Sequence, residues 1–349
     1  MKRLTHVDTM KAIGIVLVVV GHAPGLDATL KQVIYAFHMP LFFFISGLLL
    51  SESKLFMPGR AYFFSVWKGL GIPYLFFFLV SYLYWLPTHE MASRASQYAG
   101  IRWWEPLIGV VVGNGDALYV NVVLWFFTCL ITTALLFYWL RRYLSATFLL
   151  LTLNTIGLLF VLGYERGWPR LPWGLDNAVV ALAFYATGHF LRRYQEALCA
   201  RTTTTRARAW AALLLTAVVV IARVNGEVDL NTLHFGRYPA LFIAGGYLGT
   251  LALFYLAISL PALSVFQWLS RTTLIIFPTH LLMFSAFTGV AVLVFGLPHQ
   301  FKESSAVWTL AFPVMALLLS YPVSIAAPRL FPVVFGAGSR RLALQEKTS

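Results

Sequence analysis

The amino-acid sequence predicts an all-α protein, a bundle of about ten helices that cross a lipid bilayer. Of its 349 residues, 59% are hydrophobic and 11% are charged, whereas soluble domains carry about 25% charged residues. Apolar runs of about 20 residues, long enough to span a bilayer, recur from one end of the chain to the other. Because backbone polar groups find no water inside lipid, such runs form helices. The composition therefore excludes a soluble enzyme with a single anchor.

The predicted helices fall within one domain, residues 1–335, which is followed by a C-terminal tail, residues 336–349. The first helix is interpreted as retained rather than cleaved, because its apolar stretch contains His22 and lacks a clear small-residue cleavage site. The ten apolar runs that predict helices, in chain order, are 10–23, 33–50, 62–86, 118–140, 146–163, 176–192, 209–223, 238–259, 273–296 and 305–325.

The basic residues predict the orientation of the bundle. With the N-terminus in the cytoplasm, the loops on that side hold about twice as many Lys and Arg residues as the far-side loops. This bias favours an even number of helices with both termini in the cytoplasm. The net charge of +13 is thus read as orientation signals spread over short loops, and no nucleic-acid partner is expected.

Lys11 and His22 lie eleven residues apart in the first predicted helix. At 100° per residue they are offset by about 20°, so both lie on one helix face, about 16 Å apart along the axis. Ionisable side chains are costly inside a membrane, and two on one face indicate function. Asp8, three residues before Lys11, is close enough to pair with its ammonium. Alternatively, Lys11 snorkels to the surface and His22 hydrogen-bonds between helices.

Two further histidines belong to predicted helices. His38 begins the second helix, and the short loop after the first helix makes the two helices antiparallel neighbours, so His22 and His38 are expected at similar depth. His280 follows Pro278 in the ninth helix, which the proline can kink. A neutral imidazole accepts a hydroxyl proton and returns it later. Helix packing is the alternative role for each histidine.

Other candidate residues are scattered along the chain. Arg60 and Lys68 belong to the cytoplasmic half of the third helix, as Lys11 does in the first. Trp125 begins an aromatic run in which packing is the more frequent role. Asn177 opens the sixth helix beside a possible N-cap. Arg237 ends one of three polar far-side segments. The other two contain tryptophans that can stack on a sugar, although interfacial loops contain tryptophan anyway. The three segments are 87–117, 164–175 and 224–237.

Two motifs near the N-terminus resemble those of the acyltransferase-3 family of membrane enzymes. The stretch from Val7 to His22 is similar to the family's first-helix motif, a basic residue, ten residues and a histidine. The stretch Phe37–Gly47 resembles its second-helix signature. A basic residue before Pro73, the Trp125 element and the ninth-helix histidine are weaker likenesses. The His-Met-Pro-Leu-Phe version of the second motif is most similar to exopolysaccharide acetyltransferases, such as those that modify xanthan.

The resemblance implies an enzyme of the bacterial inner membrane that moves an acetyl group from acetyl-CoA to a sugar hydroxyl. The acceptor is a glycan or a lipid-linked oligosaccharide. His22 is expected as the general base, and the donor arm is expected to run along the face it shares with Lys11. Lys11 stands where arginine is commoner in the family, and a lysine ammonium cannot form the pair of parallel hydrogen bonds that an arginine makes to phosphate. The implied sites are catalytic His22, Lys11 and Asp8, donor-binding Lys11, Lys68, Arg60 and Ser46, and acceptor-binding His38, Trp125, Asn177, His280 and Arg237.

Two other functions remain open at this point. A secondary transporter of a sugar or lipid-linked glycan could use Lys11, His22 and His280 as a proton relay. A purely structural subunit explains the aligned ionisable residues poorly. The acidic residues form no sequence cluster typical of a metal site, and the sequence contains neither a phosphate-binding glycine loop nor a nucleophile elbow. No metal is expected.

Overall fold

The computed structural model describes residues 4–90 and 100–335. The predicted C-terminal tail, 336–349, lies outside the described residues, as do residues 91–99 of the predicted far-side segment. Over the two described ranges the chain is built from helices and contains no strand. The predicted all-α class is therefore confirmed.

The α-helices are numbered here in chain order over the described residues. They are α1 Thr5–Gly21, α2 Ala28–Tyr35, α3 His38–Leu49, α4 Glu52–Leu55, α5 Gly59–Val66, α6 Ile72–Thr88, α7 Glu105–Val112, α8 Trp125–Tyr143, α9 Ala146–Gly163, α10 Leu175–Leu191, α11 Gln195–Arg201, α12 Thr204–Asn225, α13 Pro239–Ser259, α14 Ser264–Leu293 and α15 Ala306–Leu330. A π-helical segment, Trp67–Gly71, joins α5 to α6.

Each of the ten predicted helices corresponds to a helix or a helix pair. The second prediction is divided into α2 and α3, and the third consists of α5, the π-helical segment and α6. By length and composition, eight of the helices or helix pairs in the described ranges are able to cross a membrane. The other two, α1 and α10, have 17 residues each. The short helix α7 lies in the segment 87–117, which the sequence analysis treats as a polar loop.

Helix α3 lies at the centre of the bundle and contacts α1, α10 and α13. Where α3 crosses α10, a Cβ on Gly47 would overlap the carbonyl oxygen of Tyr185, and a Cβ on Gly188 would overlap that of Phe44. Small residues let membrane helices approach this closely. The two glycines therefore allow α3 and α10 to pack closely against each other.

The helix directions define two ends of the bundle. At the first end α1 begins, whereas α3, α8 and α10 end there. At the opposite end α1 is followed by His22, α3 begins at His38, and α12 is followed by a loop, residues 226–238. Since α1 and α3 run antiparallel, His22 and His38 come to similar depth, as their short connection predicts.

Candidate functional site

Four aromatic side chains from separate helical elements meet near the opposite end of the bundle. The ring centroid of His22 lies 5.0 Å from that of His280 and 5.9 Å from that of Tyr35. The Tyr35 and His38 centroids are 4.8 Å apart. These four residues are called the imidazole cluster below. The structure thus brings together the three histidines that the sequence analysis selects separately.

The backbone fixes the hydrogen position on each imidazole of the cluster. The Nδ1 atoms of His22, His38 and His280 lie 2.8, 2.9 and 2.7 Å from carbonyl oxygens of the preceding helical turn. Because a carbonyl oxygen only accepts, each neutral ring carries its hydrogen on Nδ1 and leaves the Nε2 lone pair available. The Nε2 of His280 is buried and has no hydrogen-bond partner among the described residues. Three potential proton acceptors therefore share one site.

The three histidines differ in accessibility. His38 is 3% exposed and His280 is fully buried, whereas His22 is only half-buried. Among the three imidazoles, His22 is therefore the most accessible.

A cavity of about 260 Å³ opens at the opposite end of the bundle and leads to Tyr35. Its walls include Lys31, Gln32 and Glu227, and the Lys31 ammonium lies 5.4 Å from the centre of the Tyr35 ring. Because Tyr35 also contacts His22, its ring links this polar cavity to the imidazole cluster. The sequence analysis missed Tyr35, although it lies only three residues before His38.

The loop 226–238 that supplies Glu227 is held by its own short contacts. Asp229 and His234 form a backbone bridge with N···O distances of 2.7 and 2.9 Å. The Asp229 carboxylate also accepts a hydrogen bond of 2.8 Å from the backbone N–H of Asn231. Burial raises the pKa of Asp229 to about 6, although the nearby Lys31 charge opposes this shift. The loop beside the cavity therefore contains a carboxyl group whose pKa is about 6.

Lys11 and Asp8 both form hydrogen bonds with Ser270 of helix α14. The Lys11 ammonium donates to the backbone carbonyl of Ser270 at 2.9 Å, and the Ser270 hydroxyl donates to the Asp8 carboxylate at 2.7 Å. Further along α14, His280 meets His22. Lys11 and His22 therefore face the same neighbouring helix, as their spacing predicts.

The predicted course of the donor arm along this face is wrong. Ile15 and Val18 lie between Lys11 and His22 on the same side of α1, and both are fully buried. The helical spacing correctly identifies which residues share a face, but it does not reveal that apolar packing against α14 fills the space between them. An acyl donor needs another route to His22.

Ser46 lines a second cavity, of about 270 Å³, towards the first end of the bundle. Lys54, Tyr62 and Tyr185 are also in its walls. Ser46 and His38 lie eight residues apart, about 12 Å along α3 and offset by about 80° around it. Phe42 lies between them, is buried, and its ring contacts Phe126 at 6.1 Å. Aromatic packing therefore separates the Ser46 cavity from the imidazole cluster along α3.

The other predicted donor residues are at the surface. Arg60 is exposed and lies over the Phe64 ring at 5.7 Å. Lys68 is exposed on the π-helical segment, whose next residues, Gly69 and Leu70, line the Ser46 cavity. Their donor-binding roles stay predictions.

Asn177, predicted from the sequence to bind the acceptor, has hydrogen-bond partners at both polar atoms of its side chain, and its contact with an acceptor stays a prediction. It is 1% exposed, its side-chain oxygen accepts a 2.9 Å bond from Arg170, and its side-chain nitrogen donates to the carbonyls of Leu230 and Asn231. Since both polar atoms are occupied, the residue joins the start of α10 to the loop 226–238. Arg170 also forms an ion pair with Asp176, with 2.6 Å between its Nε and the Asp176 Oδ2.

The two remaining predicted acceptor residues have different surroundings. Arg237 is exposed and lies 5.6 Å from the centre of the Tyr238 ring. Trp125 is buried and contacts Phe126 edge to face, which fits the packing alternative. Their predicted contacts with an acceptor stay predictions.

Asn121 is a site-supporting residue that the sequence analysis missed. Its side-chain nitrogen donates to the Ser81 hydroxyl at 2.8 Å and to the Pro278 carbonyl at 2.9 Å. Helix α14 runs continuously through Pro278, so Asn121 anchors it two residues before His280. Only the folded arrangement of α6 and α14 reveals this role.

One comparison with known proteins identifies a family. The sequence profile of a family described as Acyltransferase domain, acyltransferase-3, matches residues 4–325. No curated protein and no solved structure matches the chain. Within residues 4–90 and 100–335, no group of three or more His, Cys, Asp or Glu side chains is arranged to hold a metal ion.

Proposed function

Since the chain belongs to the acyltransferase-3 family of membrane acyltransferases, we propose that it moves an acetyl group from acetyl-CoA to a hydroxyl of a cell-envelope or exopolysaccharide sugar. The enzyme would work in the inner membrane of a bacterium. The observation that carries the proposal is the imidazole cluster, in which the half-buried His22 contacts a Tyr35 ring that also lines a polar cavity.

The proposed reaction is direct transfer. The sugar hydroxyl enters from the Tyr35 cavity and gives its proton to Nε2 of His22 as its oxygen attacks the thioester carbonyl carbon. The new C–O ester bond forms, the C–S bond breaks, and the proton passes from His22 to the departing thiolate. A positioned base of this kind contributes roughly 10²- to 10⁴-fold to the rate.

The polar walls of the Tyr35 cavity support a sugar as the acceptor. Lys31, Gln32 and Glu227 offer donors and acceptors for hydroxyl groups, and Tyr35 offers a ring face as well as a phenol. Such a mixture of aromatic surface and a few convergent polar groups is typical of small-molecule sites. A lipid-linked oligosaccharide and a polymer both present the required hydroxyl.

The test is transfer by the purified protein in liposomes. Labelled acetyl-CoA is supplied with de-O-acetylated polysaccharide or with lipid-linked oligosaccharide, and free CoA and acetyl esters are measured. The proposal requires acceptor-dependent CoA release with one ester formed per CoA. Movement of the glycan across the membrane without CoA release would instead establish the transporter alternative, which family membership does not favour.

A further inference from the structure

A charged cavity in the described part of the chain is separate from the imidazole cluster. It has a volume of about 340 Å³ and lies at the first end of the bundle, where α8 and α10 end and α9 begins. Three arginines and two glutamates are in its walls, so its formal charge is positive. They are Arg141, Arg192, Arg193, Glu52 and Glu196.

Two buried nitrogen atoms at this cavity lack partners. The Nε of Arg141 and the Nδ1 of His189 are buried without a hydrogen-bond partner in the part of the chain that the structure describes. A buried donor without a partner is unfavourable, because it has lost its hydrogen bonds to water and has gained none in the protein. Arg141 is held in place by a 3.2 Å bond from Nη1 to the Leu144 carbonyl. The guanidinium is therefore positioned, with donor capacity left for a ligand.

The chemistry of the walls favours phosphate. Guanidinium groups bind phosphate through pairs of parallel hydrogen bonds. Arg192 is fixed at the wall by a 3.0 Å bond to the Leu48 carbonyl. Ala146, the first residue of α9, also lines the cavity, and a helix N-terminus adds unpaired N–H groups and a favourable dipole.

This cavity is adjacent to the Ser46 cavity. His189 lines the first and Tyr185 lines the second, and the two residues are one turn apart on α10. Likewise, Glu52 lines the charged cavity and Leu50 lines the Ser46 cavity, and the two residues are two positions apart in the segment after α3. The residues that line the two cavities therefore lie next to each other both on α10 and in the segment after α3.

We propose that Arg141, Arg192 and Arg193 bind the phosphate groups at the nucleotide end of the acyl-CoA donor. This inference rests on the proposed function for the identity of the donor. The thioester arm then extends into the Ser46 cavity, instead of along the face of α1 that Ile15 and Val18 fill. The exposed Arg60 and Lys68 are not required for phosphate binding.

The first experiment measures binding without transfer. Calorimetry in lipid nanodiscs gives the Kd of adenosine 3′,5′-bisphosphate, the phosphate-bearing end of CoA, for the wild type, Arg141→Gln and Glu52→Gln. Arg206→Gln is the matched control, because Arg206 is an exposed arginine of α12. We expect about tenfold weaker binding in Arg141→Gln, tighter binding in Glu52→Gln and no change in the control. Equal Kd values in the wild type and Arg141→Gln, or equal weakening in the control, would overturn the assignment.

The second experiment compares two donors. Arg141→Gln is expected to raise the KM for acetyl-CoA about tenfold and to leave the KM for acetyl-pantetheine, which lacks the nucleotide and its phosphates, unchanged. A parallel rise for both donors would mean structural damage and reject the site. If Arg141→Gln does not fold, Arg193→Gln replaces it, since Arg193 is exposed. Bisphosphate binding without acetyl transfer would reject the proposed function alone, whereas transfer with unchanged KM values would reject this site alone.

Discussion

Replacing His22 with asparagine separates a catalytic role from a structural one. The Nδ2 of asparagine can donate to the Val18 carbonyl as Nδ1 of His22 does at 2.8 Å, but asparagine has no basic nitrogen in place of Nε2. The hydrogen bond at stake is worth about 1 kcal/mol. Loss of a general base costs roughly 10²- to 10⁴-fold in rate, about 3–5 kcal/mol of transition-state stabilisation. The loss in kcat should therefore far exceed any loss of stability.

Two equivalent substitutions test whether His22 is the base. His38→Asn and His280→Asn change imidazoles that also bond a carbonyl through Nδ1, but both rings are buried. We expect each to lose less activity than His22→Asn. His89→Asn is the control outside the cluster, since His89 bonds the Leu86 carbonyl through Nδ1 at 2.8 Å.

The assay is acceptor-dependent CoA release by purified protein in nanodiscs, together with the thermal midpoint of each variant. His22→Asn is expected to lower kcat at least 100-fold with a midpoint close to that of the wild type. The reasoning is refuted if His22→Asn keeps more than a tenth of the wild-type kcat. It is also refuted if His280→Asn, equally well folded, loses more activity than His22→Asn.

The imidazole cluster is partly predictable because two kinds of local information converge on it. His22 and His38 are separated by a short connection, so their proximity follows from chain geometry. His280 stands out because a polar residue inside a membrane is costly. The sequence does not reveal that His280 meets His22, since that contact depends on which of the later helices packs against α1.

Three cases show what one-dimensional patterns omit. The position of Asn177 at the start of a predicted helix does not indicate its contacts, and only the folded chain shows that Arg170 and the loop 226–238 use both of its polar atoms. Tyr35 is close to His38 in sequence, but its importance depends on Glu227, almost 200 residues later, closing the other side of the cavity. Helical spacing places Lys11 and His22 on one face without indicating that Ile15 and Val18 pack tightly there.

Three further changes test the packing, the acceptor cavity and the loop beside it. Gly47→Ala adds a Cβ that overlaps the Tyr185 carbonyl, and we expect the free energy of unfolding to fall by about 1–3 kcal/mol. The control is Gly69→Ala, where the Cβ meets nothing within 4 Å. The thermal midpoint of Gly47→Ala should be the lower of the two. Tyr35→Phe should raise the acceptor KM severalfold and leave the acetyl-CoA KM unchanged; an unchanged acceptor KM would contradict the acceptor cavity. Asp229→Asn should remove a pH dependence from the loop 226–238. Burial raises the pKa of Asp229 from 3.8 to about 6 in the folded protein. Between pH 3.8 and about pH 6, the Asp229 carboxyl group is therefore protonated in the folded loop and ionised in the unfolded loop. The resulting stabilisation is complete below pH 3.8 and is lost as the pH rises to about 6, a difference of up to about 3 kcal/mol. Hydrogen exchange of residues 226–238, corrected for intrinsic rates, should therefore show greater protection at pH 4.5 than at pH 7 in the wild type, and a smaller difference in Asp229→Asn. His234 and Glu227 are present in both proteins, so an identical pH dependence in the two would show that the Asp229 carboxyl group is not its source.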